Sequence, residues 1–139
     1  MRAIGLDLGT KTLGVAVSDS FMMIATGLKT IRFEDEKYID SINELKQIIE
    51  EYKPSIIVIG LPKNMDNSLG FAAQRTRDYE ELLKNNFNLP IYEQDERLTS
   101  VTANNVLLEA DISRKKRKEK VDTIAATIIL QNYLDTRKG

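Results

Sequence analysis

Residues 55–60 read SIIVIG, a dense β-branched run with Pro54 before it and a loop after it. It lacks the alternation of a strand with one wet face, so it predicts a strand buried on both faces. Residues 2–8 (RAIGLDL) are near-continuously apolar and predict a second strand of the same kind. A sheet built on such strands needs cover above and below, which calls for helices on both sides.

The rest of the chain supplies them. Residues 9–12 turn the chain, and 14–18 (GVAVS) and 27–33 predict two more strands. Short links between these first three favour antiparallel pairing. Then Ile39, Ile42, Leu45, Ile49 and Tyr52 recur at helical spacing, predicting an amphipathic helix over 36–52 that Pro54 stops. After a loop over 61–70, Ala72, Thr76, Tyr79 and Leu83 mark a second helix. Residues 91–94 predict a fifth strand, and 98–110 a third helix capped by Thr99 or Ser100. The last helix covers 118–136, with Val121, Ile124, Ala125, Ile128 and Leu130 facing inward. The order β-β-β-α-β-α-β-α-α gives an α/β fold: a mixed five-stranded sheet, three antiparallel strands then parallel ones, with helices on both faces. That is the element order of the ribonuclease H-like fold. With no repeat and no linker, residues 1–139 read as one domain. Function has to come from the sites.

The chain has no Cys and no His. A thiol nucleophile, a thiolate or imidazole zinc site, an iron–sulfur cluster and a Ser-His-Asp triad are all excluded. Carboxylates, Lys, Tyr, Ser/Thr and oxygen-ligated metals remain, and hard cations such as Mg²⁺ or Mn²⁺ suit that inventory. The longest mostly apolar stretch, 124–130, is far short of the roughly 20 residues of a membrane span, and a cytoplasmic location is expected.

Three acidic positions stand out. Asp7 interrupts the apolar first strand, between Gly5 and Gly9 and ahead of Lys11. A lone carboxylate there is costly, so it needs a hydrogen-bond cage, a base or a metal. The glycines allow a ligand close to the backbone, and Lys11 can meet a phosphate. Asp95 and Glu96, followed by Arg97, sit just past the fifth strand, on the edge where open α/β sheets bind ligands. Asp122 lies early in the last helix, with Ala125 and Ala126 at i+3 and i+4. Each has a plainer reading: a turn hydrogen bond, a charged loop before a helix, a surface ion pair. Together they suit two divalent ions that activate water and stabilise a leaving oxygen.

The stretches GLDLGTKTLGVAVSD, GLPKNMDNSLG and DERLTSVTANNVLLEADISRKKRKEKVDTIAATIILQNYLD resemble the YqgF/RuvX family over essentially the whole chain. The family consists of bacterial ribonuclease H-fold proteins regarded as Holliday-junction-resolvase-like, with a proposed role in 5′-end processing of pre-16S rRNA. The resemblance implies that Asp7, Glu96 and Asp122 are catalytic metal-binding carboxylates, with Asp95 as an outer or alternative ligand and Arg97 as a phosphate contact. Thr12 stands where the family often has Arg, and Asn67 where it often has Gly.

In that context the basic run gains meaning. Residues 111–122 hold six basic residues, among them Arg114, Lys115, Lys116 and Arg117, against three acidic ones. Lys and Arg beside a carboxylate site offset its repulsion of a polyanion. No aromatic is interleaved with the run, which predicts phosphate contact rather than base stacking. The implied partners are structured precursor rRNA or branched DNA, and ribosomal particles; a monomer and a homodimer both fit. Two other readings stay open: nucleotide binding of the actin or sugar-kinase type, whose phosphate loop DLGTK resembles, and a non-catalytic RNA-binding module.

Overall fold

The computed structural model describes residues 1–34, 37–62, 70–95 and 114–137. Strands β1 (Ala3–Leu8), β2 (Thr12–Ser18) and β3 (Ala25–Arg32) precede helix α1 (Tyr38–Tyr52). Then come β4 (Ile56–Leu61), α2 (Phe71–Asn86), β5 (Ile91–Asp95) and a last helix, α3 (Arg114–Arg137). The strands form one five-stranded sheet in the order β3-β2-β1-β4-β5. β2 is antiparallel to both β1 and β3, while β4 is parallel to both β1 and β5. This is the mixed sheet the sequence predicts. The carboxyl ends of β1, β3, β4 and β5 therefore share one edge.

Both predicted double-faced strands sit at the centre. Ile4, Leu6 and Leu8 of β1 and Ile57 and Ile59 of β4 pack with Ile42, Leu45 and Ile48 of α1 and Tyr79 and Leu83 of α2. The alternate residues Ala3 and Val58 pack instead with Ala126, Ile129, Leu130 and Leu134 of α3. Helices thus cover both faces, α1 and α2 on one and α3 on the other.

α1 ends at Lys53, which takes a left-handed conformation and donates its N–H to the Ile49 carbonyl ahead of Pro54. Its buried face carries Ser41, Ile42, Leu45 and Ile48, while Ile39 is 49% exposed. The predicted stripe is therefore rotated by part of a turn. Ser41 explains it: its hydroxyl donates to the Tyr38 carbonyl and accepts from the Tyr79 hydroxyl, each at 2.6 Å. A polar pair thus occupies part of the inner face, and burial pushes the Tyr79 phenol up to about 12.

α3 begins at Arg114, four positions ahead of the predicted start. Nothing between Ser113 and Val121 breaks a helix, and Lys and Arg are good helix formers. Its buried side is Ala125, Ala126, Ile129, Leu130 and Leu134, whereas the predicted Ile124 and Ile128 are only half-buried. The predicted helix over 98–110 lies outside the described residues.

The alanines bring α3 very close to β1. A Cβ placed on Gly5 would stand 2.7 Å from the Leu130 Cβ and 3.1 Å from the Ala126 carbonyl oxygen. Gly5→Ala must push the helix off the sheet and is expected to cost about 1–3 kcal/mol. Urea unfolding reads this directly; an unchanged midpoint would contradict the close approach.

On the other face, Glu80 of α2 is buried beside Glu93 of β5, which also lies 3.4 Å from Arg77 Nε. Burial, a hydrogen bond to Glu93 and the charge of Glu93 together push the Glu80 carboxyl from 4.5 up to about 7. Between those values the folded protein keeps a proton that the unfolded chain releases. Stability is therefore lost as pH rises through that window. Urea midpoints compared at pH 5 and pH 8 are expected to fall in the wild type, and Glu80→Gln is expected to flatten the fall.

Candidate active site

Asp7 is the next-to-last residue of β1 and is half-buried. Its neighbours Leu6 and Leu8 belong to the α1/α2 cluster, so alternation turns Asp7 toward the α3 face. Across β2 its partner is Gly14, whose own partner is Thr30 of β3. On the other side Leu6 pairs with Ile59, and Gly60 pairs with Gln94 of β5. One step past that first pair, Asp7 stands level with Gly60. The row one step in from the last paired row at the carboxyl edge therefore runs Thr30, Gly14, Asp7, Gly60, Gln94. Strands lie about 4.8 Å apart, so the next side chain in this row is about 10 Å from Asp7 in either direction. The carboxylate projects from a stretch of sheet that is otherwise bare backbone.

This changes the reading of the glycines beside Asp7. Gly5 is taken up by the approach of α3. Gly9 makes the β1–β2 turn, donating its N–H to the Thr12 carbonyl at 2.7 Å. The glycines that clear space around the carboxylate are Gly14 and Gly60, each beside it on an adjacent strand. Aligning GVAVS and SIIVIG on Asp7 reveals them, but only once strand order and register are known.

α3 is held in register with this row. The Thr123 and Thr30 hydroxyls hydrogen-bond at 2.7 Å. Two turns on, Gln131 accepts from the Ala25 N–H at 2.8 Å and donates to the Met23 carbonyl at 3.0 Å. Positions 123 and 131 thus follow β3, while 126 and 130 follow β1 at Gly5. Asp122 is a position in α3 one helical turn before Ala126, in line with 126 and 130. That line runs toward the carboxyl end of β1, where Asp7 stands.

The other predicted residues fall as follows. Lys11 is exposed in the β1–β2 turn on the same edge, and its carbonyl accepts the Phe33 N–H at 2.9 Å. Asp95 is the last residue of β5, paired with Leu61. Arg114, Lys115, Lys116 and Arg117 form the first turn of α3. Glu96 and Arg97 lie outside the described residues, as does most of the GLPKNMDNSLG stretch. Among the described residues no three acidic, His or Cys side chains gather as a metal cluster. Also among them, no helix is long and apolar enough to cross a membrane.

Solved structures share this architecture. The fowlpox virus resolvase, solved with its substrate Holliday junction DNA, superposes with a TM-score of 0.61 at 11% identity, over 100% of each chain. RuvC of Thermus thermophilus gives 0.59 at 13% identity, over 100% of this chain and 97% of that one. The sheet, its order and its helix cover are those of the ribonuclease H-like fold. A relative from Thermoanaerobacter pseudethanolicus is 52% identical over 140 residues, covering 100% of this chain and 99% of the relative. One from Clostridium acetobutylicum is 51% identical over 136 residues, covering 98% and 99%. Both are described as proposed pre-16S rRNA nucleases. A family model, RuvX, described as Holliday junction resolvase, matches residues 1–136, and the chain belongs to that family.

Proposed function

We propose that this protein is a metal-dependent nuclease that hydrolyses phosphodiester bonds in 5′-end processing of precursor 16S rRNA. The observation that carries the reading is Asp7: a half-buried carboxylate at the carboxyl end of a central strand, with a glycine beside it on each adjacent strand. No apolar packing requirement accounts for an acid there. The space and the oxygen donor fit a hard divalent cation with its shell of water and substrate oxygens. The relatives described as proposed rRNA nucleases match nearly the full chain, which supports this reading.

Asp7, Glu96 and Asp122 would hold Mg²⁺ or Mn²⁺, with Asp95 as an outer or alternative ligand. The ion, when bound, supplies Lewis-acid polarisation at a phosphoryl oxygen. The chain's own residues do the rest. Lys11 in the edge turn meets a substrate phosphate. Arg97 and the basic residues Arg114–Lys116 and Arg117 offset the repulsion between carboxylates and a polyanion. Ribosomal particles are the setting in which such a substrate occurs. The family description favours a second substrate, the four-way DNA junction.

Cleavage of precursor 16S rRNA and of a four-way junction, each with Mg²⁺ or Mn²⁺, separates these readings. Asp7→Asn and Glu96→Gln are expected to lower the rate on the true substrate by about 100-fold or more, equivalent to about 3 kcal/mol. Chelation is expected to abolish cleavage. Equal rates for the wild type and both variants would end the proposal.

A further inference from the structure

Phe71 is the first residue of α2 and is 93% exposed, more than any other large apolar side chain among the described residues. It packs no core, caps nothing, and its residue type is a poor helix former. β4 ends at the edge that carries Asp7, and α2 starts on the return from that edge. α1 likewise starts after the carboxyl end of β3, which lies on the same edge. Between the two helix starts runs an open groove of about 540 Å³, lined by Tyr38, Phe71, Gln74, Arg75 and Asp78.

The chemistry of the groove is unlike that of an apolar docking face. Tyr38 is fixed, with edge-on contacts to Phe33 at 5.5 Å and Tyr79 at 5.9 Å. Asp78 accepts a hydrogen bond from Gln74 at 3.0 Å, so the groove's acid is engaged. Arg75 lies one turn from Phe71 and has no ion-pair partner among the described residues. Asp40 in the first turn of α1 disfavours a phosphate on that side and leaves it to the α2 side. An open ring, one turn from a guanidinium with no ion-pair partner among the described residues, matches a base stacked on the ring and its phosphate on the cation.

We infer that the groove between the starts of α1 and α2 is a subsite for an unpaired nucleotide of the RNA strand, stacked on Phe71 and held by Arg75. This rests on the nuclease reading and extends it. The basic start of α3 would hold backbone on one side of the edge, and Phe71 would hold an unstacked base on the other. The predicted lack of base stacking then applies to the basic run alone.

The test measures binding in an Asp7→Asn background, so the readout does not depend on cleavage. The probes are an RNA hairpin with a single-stranded 5′ extension and the same hairpin with a blunt end. Phe71→Ala is expected to weaken binding of the extended hairpin about tenfold and leave the blunt one unchanged. Phe71→Tyr is expected to restore it, and Arg75→Gln to weaken it with a shallower salt dependence. An exposed ring can be removed without unfolding the protein, which circular dichroism verifies. Equal affinity with and without the ring, an equal loss on both hairpins, or no binding at all overturns the subsite. So does a change in sedimentation on Phe71→Ala, which would assign the ring to a contact between copies. If wild type cleaves RNA and Asp7→Asn does not, while Phe71→Ala binds normally, the subsite alone fails.

Discussion

Gly5 has no Cβ, and that absence lets the Ala126 carbonyl and the Leu130 side chain lie almost against the backbone of β1. A small-residue layer extends the contact, with Ala3 and Ala16 on the sheet and Ala125 and Ala126 on the helix, each buried. The helix is also fixed sideways. Thr123 and Gln131 stand eight residues apart, about 12 Å along the axis, and each bonds to β3 or the turn before it. A helix pressed on one strand and tied at two points to another has little freedom to slide. Whatever the start of α3 carries is delivered to the carboxyl edge in a set register, and site geometry of this kind depends on rigid elements.

The price of an acid in the sheet is limited by where it sits. Asp7 is one residue from the strand end and only half-buried, so water reaches it from the edge. The glycines beside it press no apolar surface against the carboxylate. The start of α3 pays in the opposite sense. Its first turn holds no acid and several bases, although the helix dipole favours negative charge there by roughly 0.3–1 kcal/mol per group. Acid in a strand and base at a helix start each oppose a local preference. On the proposed reading, a cation and a polyanion arriving together would offset both, and sites that break local rules in this way are where function is expected.

Much of this was legible in the sequence, because it rests on periodicity. SIIVIG and RAIGLDL announced two-sided burial, and the short early links announced antiparallel pairing. Asp7 was visible because an acid contradicts the run around it. The glycines beside it were not, since their meaning depends on register between strands distant in sequence. The stripe on α1 is rotated from its expected place because Ser41, polar by type, is buried through its bonds to Tyr38 and Tyr79. On α3 the buried side runs through Ala125, Ala126, Ile129 and Leu130 rather than through Ile124 and Ile128, and Ala126 gives the small side chain that close approach to Gly5 requires. Phe71 gave no signal at all: a lone Phe at a helix start reads as core until its exposure is known.

Charge distribution narrows how a polyanion can reach the edge. The formal net charge is −1, so long-range attraction is weak and binding depends on local patches. Screening confines each patch to about 8 Å at physiological salt. Residues 34–51 carry seven acids against two bases, and most of this run is α1, whose outer side therefore repels nucleic acid. The bases cluster at the start of α3 and, more sparsely, on α2 as Arg75, Arg77 and Lys84, the last two already facing Glu93 and Glu81. Among the described residues, Arg75 is the α2 cation without an ion-pair partner. On the proposed reading, a strand would avoid the α1 flank and reach the carboxyl edge from the α3 side. Past Asp7 it would run toward Arg75 and the ring beside it.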